Sequence, residues 1–409
     1  MNPLLVEKLF RHESRRLVAS LARRTGELHL AEEAVQEAML KALKLWPLRG
    51  VPDDPRAWLY VAARNHLVDQ VRRRAREEQL PALEAALTPE VPSHPEVLRD
   101  DTLALLFACA DPELPRSAHL PLMLNVAIGL SSAAIGRALV IEAGAARQRI
   151  SRAKAHLREL SGDLGLPASD QLALRVDSVL EAIYGVFSLG HAAAGADVIE
   201  LDLCEEAIRL VQLVCASERC ATPAAHALAA LCFLSAARFP ARLDPEGAFV
   251  SLRDQDRSVW DRAACAAGFG HLDRSRGDLL TRYHLEAGIA SCHAVAPSYA
   301  ETDWEQVLSY YDLLCERHPS PLLTLNRALA LAELEGPQAA LDALAPLATA
   351  PALRSRPHFA AARADLLLRL GRSRAAEGEL RRALRAPLLS GPERRTLEAR
   401  LNELRGRGL

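Results

Sequence analysis

The chain has 409 residues, half of them apolar, and a net charge of −2. That length predicts two or three domains rather than one core, and the near-neutral balance excludes a uniformly basic, nonspecific nucleic-acid binder. Aromatic residues make up only 4% while Leu, Ala and Arg abound, a composition that favours helices over sheets.

The charge is unevenly placed. Residues 1–80 carry 15 Lys and Arg against 11 Asp and Glu, and residues 130–160 carry 6 against 2. Residues 161–409 carry 27 against 32, so two basic islands precede a mildly acidic remainder.

In chain order, "LLVEKLFRHESRRLVASLARR" and "AEEAVQEAMLKALKLW" show helical periodicity on either side of Gly26. "PLRGVPDDP" (47–55) is a turn, and a third helix starts there with Asp54 as N-cap and Pro55 in its first turn. This helix runs into "ARNHLVDQVRRRAREE" (63–78), where two stripes separate. Leu59, Ala63, Leu67 and Val71 can face a core, while Trp58, Ala62, Asn65, Asp69, Arg72 and Arg76 share another face. Cations at a helix C-terminus are favoured by the macrodipole alone. Oriented guanidinium groups beside an amide also suit phosphates and a base edge.

Residues 81–99 contain four prolines and read as a linker. Between residues 100 and 162 lies a second helical unit, whose "LSSAAIGRALVIEAGAARQRISRAKAHLREL" outlines a helix-turn-helix with a break near Val140 to Glu142. From 163 to 409, helical segments alternate with short Pro/Gly breaks. "PSPLLTLNRALALAELEG" and "RADLLLRLGRSRAAEGELRRAL" resemble stacked helix pairs of tetratricopeptide size, without a strict period. The expected fold class is all-α.

The eight cysteines form no C-x-x-C pair and read as small buried hydrophobes. His191, His271, His284 and His293 lack H-x-x-x-H or H-E-x-x-H spacing, so no metal site and no cofactor is expected. Glu7, Lys8 and Arg11 interrupt any signal-peptide core. The most apolar run, "AAHALAALCFLSAARF" (224–239), contains His226 and Arg238 and is shorter than the roughly 20 residues of a span. A cytoplasmic protein without a membrane partner is the expectation.

Residues 10–76 resemble region 2 of extracytoplasmic-function (ECF) sigma factors, and residues 100–160 resemble region 4. "AEEAVQEAMLKALKLW" is similar to the helix that docks on the β′ clamp helices of core RNA polymerase; "RAWLYVAARNHLVDQVRRRAR" is similar to the segment that opens the −10 element. The stretches "DQDRSVWDRA" and "PSPLLTLNRALA" resemble a subgroup with a large tetratricopeptide-like C-terminal extension.

The resemblance implies polymerase contacts at Glu33, Gln36, Glu37 and Leu40. It implies −10 contacts at Trp58, Arg64, Asn65, Asp69, Arg72, Arg73 and Arg76, with the loop 48–54 helping to capture an unstacked base. Contacts to the −35 element fall to Arg147, Gln148, Arg149, Ser151, Arg152 and Lys154, and region 4 docks on the β flap. No catalytic residue is implied, and no enzyme is expected.

Several positions depart from the family pattern. Met39 stands for its phenylalanine, "CADP" (109–112) for its C-C-H-P, Ala134 for an acidic residue, and "SLGH" (188–191) for N-E-G-Y. Pro121 falls inside a region 4 helix, where it forces a kink or costs about 3 kcal/mol. Weakened or altered −35 recognition is therefore expected. In the extension, Asp254, Asp256, Arg257, Trp260, Asp261 and Arg262 read first as a packing and ion-pair network, and second as a docking surface for the DNA-reading helices or a protein partner. The competing functional readings are a helix-turn-helix regulator acting without polymerase and a helical-repeat interaction protein with degenerate sigma domains.

Overall fold

The computed structural model describes residues 3–78, 95–159, 166–192, 198–349, 353 and 357–406. The fold is all-α: among the described residues there is no strand, only an isolated bridge between Leu243 and Phe249. The chain divides into two compact units, residues 1–186 with 216–220, and residues 187–215 with 221–409.

The first unit begins with α1 (Pro3–Thr25), α2 (Leu28–Arg49) and α3 (Pro55–Glu78). Leu17, Leu21, Leu28, Leu30, Val35, Leu59, Leu67 and Val71 are buried where these helices meet. The core stripe expected on α3 is thus the buried one, because a 3.6-residue period leaves one face to the neighbouring helices. Gly26 and Gly50 end the first two helices with φ of 70° and 85°, the left-handed region that glycine enters without a Cβ clash.

α4 (Pro95–Cys109) begins inside the stretch expected to be linker. A proline in the first helical turn loses no intrahelical hydrogen bond, which is why Pro95 opens this helix rather than preventing it. α4 packs on α1, and Arg23 Nη1 lies 2.7 Å from Oδ1 of the buried Asp101. Burial pushes that carboxyl upward, opposed by the hydrogen bonds from Arg23 and Ser20.

α5 (Arg116–Met123) contains the buried Pro121, and the chain continues as a π-helical turn, Leu124–Ile128. Proline removes one backbone donor, and the wider turn follows directly after it. Gly129 closes the turn at φ 91°. α6 (Ser132–Ala138) is capped by Ser131, whose hydroxyl accepts from Ala134 N at 3.2 Å. Val140 then takes φ 54°, and α7 (Ala143–Glu159) follows. Gly136 makes that tight turn possible: a Cβ there would stand 2.9 Å from Ile141 O. α8 (Ser169–Ala192) contributes its residues up to 186 to this unit.

The second unit holds most of α9 (Val198–Ala216), then α10 (Pro223–Ala236), α11 (Arg262–Arg274), α12 (Arg282–Val295), α13 (Trp304–Arg317), α14 (Pro321–Leu334), α15 (Pro337–Leu344), α16 (His358–Arg369), α17 (Ser373–Ala383) and α18 (Gly391–Gly406). Consecutive helices pack as pairs, most extensively α10 with α11, α13 with α14, and α16 with α17. Thr222, Asp261, Asp303 and Ser320 cap their helices through side-chain oxygens. Close helix approach needs small residues: a Cβ on Gly268 would lie 2.7 Å from Leu234, and one on Gly288 2.7 Å from the Tyr310 ring.

By length and composition alone, Pro223–Ala241 could cross a membrane, a window longer than the run read from the sequence. Over half of that window, 56%, is buried inside the protein, as the core helix of a packed domain would be.

Candidate polymerase and promoter interface

α2 divides cleanly between two faces. Ala31, Ala34, Val35, Ala38, Ala42 and Trp46 are buried. Glu33, Gln36 and Leu40 are exposed and Glu37 is half-buried, so the four residues expected to contact polymerase share the outward face. Further along the helix Leu40 (47% exposed), Leu43 (51%) and Leu48 (83%) are also outward, with the exposed Lys41 and Lys44 among them.

The loop that follows is also outward. Val51, Asp53 and Asp54 are exposed, and Asp54 Oδ1 accepts from Arg56 N and Ala57 N, both at 3.0 Å, to start α3. Trp58 is half-buried. Its ring meets that of Trp46 edge-on, with centroids 5.6 Å apart and planes at 65°. One part of Trp58 is therefore committed to packing, and the rest is open to solvent.

Asn65 and Asp69 are exposed on α3, as are Arg72 and Arg73, while Arg64 is half-buried. Arg64 Nη2 donates to Asn65 Oδ1 at 3.1 Å, which leaves the amide donors of Asn65 facing outward. The side chain of Arg76 lies outside the described residues.

On α7, Arg147, Gln148, Arg149, Ser151 and Arg152 are exposed, whereas Ala146, Ile150, Ala153 and Leu157 are buried. Lys154 differs from the others. Its ammonium donates to both oxygens of Glu32 at 2.9 and 2.8 Å, so it is committed to α2 rather than projecting outward. Arg15 lies 4.0 Å from the same carboxylate, and burial lowers the pKa of its guanidinium although Glu32 opposes this. A cleft between α2 and α7 is lined by Leu28, His29, Arg147, Ile150, Ser151 and Lys154 among others.

Neither Glu32 nor Trp46 stood out from the sequence. Trp46 followed the docking helix as an ordinary apolar position, and the partner of Glu32 is 122 residues away. The exposed Leu43 carried a usable signal: it lies three residues after Leu40 and seven after Gln36, at helical spacing.

In the second unit, the segment from Asp254 to Arg262 makes mostly local contacts, with Arg257 reaching further. Arg257 donates from Nη1 to His293 O and Ala296 O at 2.5 and 2.7 Å and from Nη2 to Thr302 Oγ1 at 3.3 Å, and its guanidinium lies 5.1 Å from the centroid of the Trp260 ring. Asp256 and Asp261 cap the helical turns after them. Asp254 accepts from Ser251 Oγ at 2.6 Å and lies 3.7 Å from Arg400, and Arg262 is exposed at the start of α11.

Residues 9–77 match the sigma-70 region 2 family, and residues 175–276 match a family of unknown function (DUF6596). An uncharacterized protein of Rhizobium meliloti is 38% identical over 378 residues, covering 90% of this chain and 88% of that protein. The ECF RNA polymerase sigma factor SigL of Mycobacterium tuberculosis is 30% identical over 145 residues, 35% of this chain and 81% of SigL. The chain belongs to the sigma-70 family. SigE of Mycolicibacterium smegmatis, another ECF RNA polymerase sigma factor, is 28% identical over 155 residues, 37% of this chain and 60% of its own length. No solved structure matches this sigma-70 family member. Its region 2 match ends within α3, one residue before the helix does, and so takes in the outward faces of both α2 and α3.

Proposed function

We propose that the chain is an alternative, ECF-type sigma factor with a large helical-repeat extension of tetratricopeptide type. It acts in the cytoplasm as a non-enzymatic subunit. The outward face of α2, with Glu33, Gln36, Glu37, Leu40 and Leu43, docks on core RNA polymerase at the β′ clamp helices. Asn65, with the loop 48–54 and the free edge of Trp58, captures an unstacked base of the −10 element. Arg64, Arg72, Arg73 and Arg76 hold phosphates, and Asp69 lies among them. Capture of flipped bases offsets an unstacking cost of a few kcal/mol per step, so no ATP is required.

The observation that carries this reading is the outward face of α2, with Glu33, Gln36, Leu40 and Leu43 exposed along it, followed by the exposed loop that leads into the Asn65 face of α3. α6 and α7 serve as a helix-turn-helix for the −35 element and the β flap. Arg147, Gln148, Arg149, Ser151 and Arg152 do the reading, while Lys154 is available only once its contact with Glu32 opens. The C-terminal extension regulates promoter output, and the Asp254–Arg262 segment serves chiefly to hold its helix pairs together.

In-vitro transcription with core polymerase on a promoter library tests the reading. Transcripts from a defined −10 sequence, dependent on this protein, are expected. Sequence-specific duplex binding without polymerase would favour a helix-turn-helix regulator instead. Absence of both polymerase binding and transcripts would favour an interaction protein with degenerate sigma domains. Deleting residues 221–409 should change promoter output in cells; unchanged output would remove the regulatory role of the extension.

A further inference from the structure

Three side chains far apart in sequence converge in the second unit. Cys215 lies at the end of α9, His226 in the first turns of α10 and His271 near the end of α11. The Nδ1 atoms of the two imidazoles face each other at 2.9 Å. One ligand atom from each of the three residues lies within 4.8 Å of the other two. Cys215 and His226 are half-buried and His271 is buried, so the trio opens to one side.

We propose that Cys215, His226 and His271 form a binding site for a zinc-class divalent cation, with a water or exchangeable ligand in the fourth position. The donor set is one thiolate and two imidazoles, which suits borderline metals such as Zn²⁺ and not Mg²⁺ or Ca²⁺. Zinc–nitrogen bonds of about 2.0–2.1 Å place two tetrahedral nitrogens roughly 3.3 Å apart, and a zinc–sulfur bond of about 2.3 Å places sulfur roughly 3.6 Å from each. The imidazole pair is already near that spacing, and closure requires the thiol to approach the nitrogens by at most about 1.2 Å, within the reach of one rotamer adjustment.

The surroundings support the site on one side and temper it on the other. Phe233 stacks on His271 with centroids 5.7 Å apart and planes at 14°, which restricts the orientation of that ring. Arg274 is near enough to bias all three groups electrostatically, and its cation weakens binding of a second cation. Capture displaces two protons from the ligand atoms: the thiol proton goes to solvent, leaving a thiolate–metal bond, and the proton held between the two Nδ1 atoms moves to Nε2 of its own ring by tautomer exchange. Because each ligand comes from a different helix, occupancy ties α9, α10 and α11 together at one end. The inference is independent of the promoter reading, since its readouts are spectroscopic and need no polymerase.

The experiment is a titration of the full-length, metal-free protein with Co²⁺, followed by displacement with Zn²⁺. The expected result is one equivalent bound, with a thiolate-to-cobalt charge-transfer band in the near ultraviolet and visible bands of tetrahedral cobalt, all lost on adding Zn²⁺. Cys215→Ser should abolish the charge-transfer band, and His226→Gln, at a half-exposed position, should weaken binding by tenfold or more. Cys315→Ser serves as the control and should leave the spectrum unchanged. Folding of each variant is checked by circular dichroism. Failure of the wild-type protein to bind Co²⁺ stoichiometrically at micromolar concentration overturns the proposal. So does a charge-transfer band that survives in Cys215→Ser, and the histidine pair is then a hydrogen bond of the core.

Discussion

Lys154 Nζ sits 2.9 and 2.8 Å from the two carboxylate oxygens of Glu32, joining the basic helix α7 to α2, which carries Leu40 and Leu43 on its outward face. The two side chains are 25% and 18% exposed, so solvent screens the pair only in part. Breaking it leaves a charge with incomplete hydration. We expect Glu32→Gln to destabilise the protein by about 1–2 kcal/mol. Faster hydrogen exchange in α7 should accompany the loss. The double charge swap, Glu32→Lys with Lys154→Glu, should recover part of it in a double-mutant cycle. Additive effects of the two single changes would show that the pair contributes nothing.

Leu40 and Leu43 are about half exposed and belong to no buried core position, so replacing them tests binding more than folding. Leu40→Glu and Leu43→Glu should each leave thermal stability within about 0.5 kcal/mol of the parent. Both should reduce capture of core polymerase at least tenfold in a pull-down or by interferometry. Unimpaired capture would move the docking surface off α2.

Asn65 and Arg73 are both exposed but are assigned different tasks. Asn65→Ala should abolish promoter opening, read by permanganate reactivity, while closed-complex binding persists. Arg73→Ala should weaken binding evenly across promoter sequences and reduce the slope of log K against log salt by about 1. Equal effects of the two changes on opening would contradict the division.

Arg257 bonds two carbonyl oxygens and a hydroxyl while lying over the Trp260 ring. Removing it leaves buried acceptors without donors, at about 1–3 kcal/mol each. Arg257→Ala should therefore cost about 2–4 kcal/mol in a denaturant melt. Arg257→Lys should rescue little of this, because an ammonium cannot reproduce a planar fork of donors.

Burial, with Arg238 and Arg257 nearby, pushes the pKa of His293 down to about 3, and burial lowers that of His271 to about 4. Unfolded, each takes up a proton near pH 6.5; folded, neither does. Above that pH both states are neutral and the histidines contribute no pH dependence. As pH falls from about 6.5 toward 4, the unfolded chain binds more protons and stability declines, by up to about 1.4 kcal/mol per pH unit for each histidine. Melts of the full chain at pH 7.5, 6 and 5 should show the decline, and His293→Leu should make it shallower.

What the sequence by itself determined is local and periodic. The 3.6-residue repeat sorts Leu59, Ala63, Leu67 and Val71 inward and Asn65, Asp69 and Arg72 outward, and all seven are found so. Asp54 and Pro55 mark the start of α3 because capping and proline geometry are decided within a few residues. The proline-rich stretch read as linker shows the edge of that logic: Pro95 opens a helix once α4 has α1 to pack on.

Only the tertiary structure decided which surfaces are spent. Lys154 reads from sequence as one more cation of a basic helix, and folding assigns it to Glu32. Trp58 reads as a free aromatic, and folding rests it on Trp46. Cys215, His226 and His271 carry no ligand spacing, because their meeting depends on how α9, α10 and α11 pack. The physical reason is common to all three cases. Periodicity tells which face of a helix is buried, but the partner across the seam is chosen by helix packing over tens to hundreds of residues.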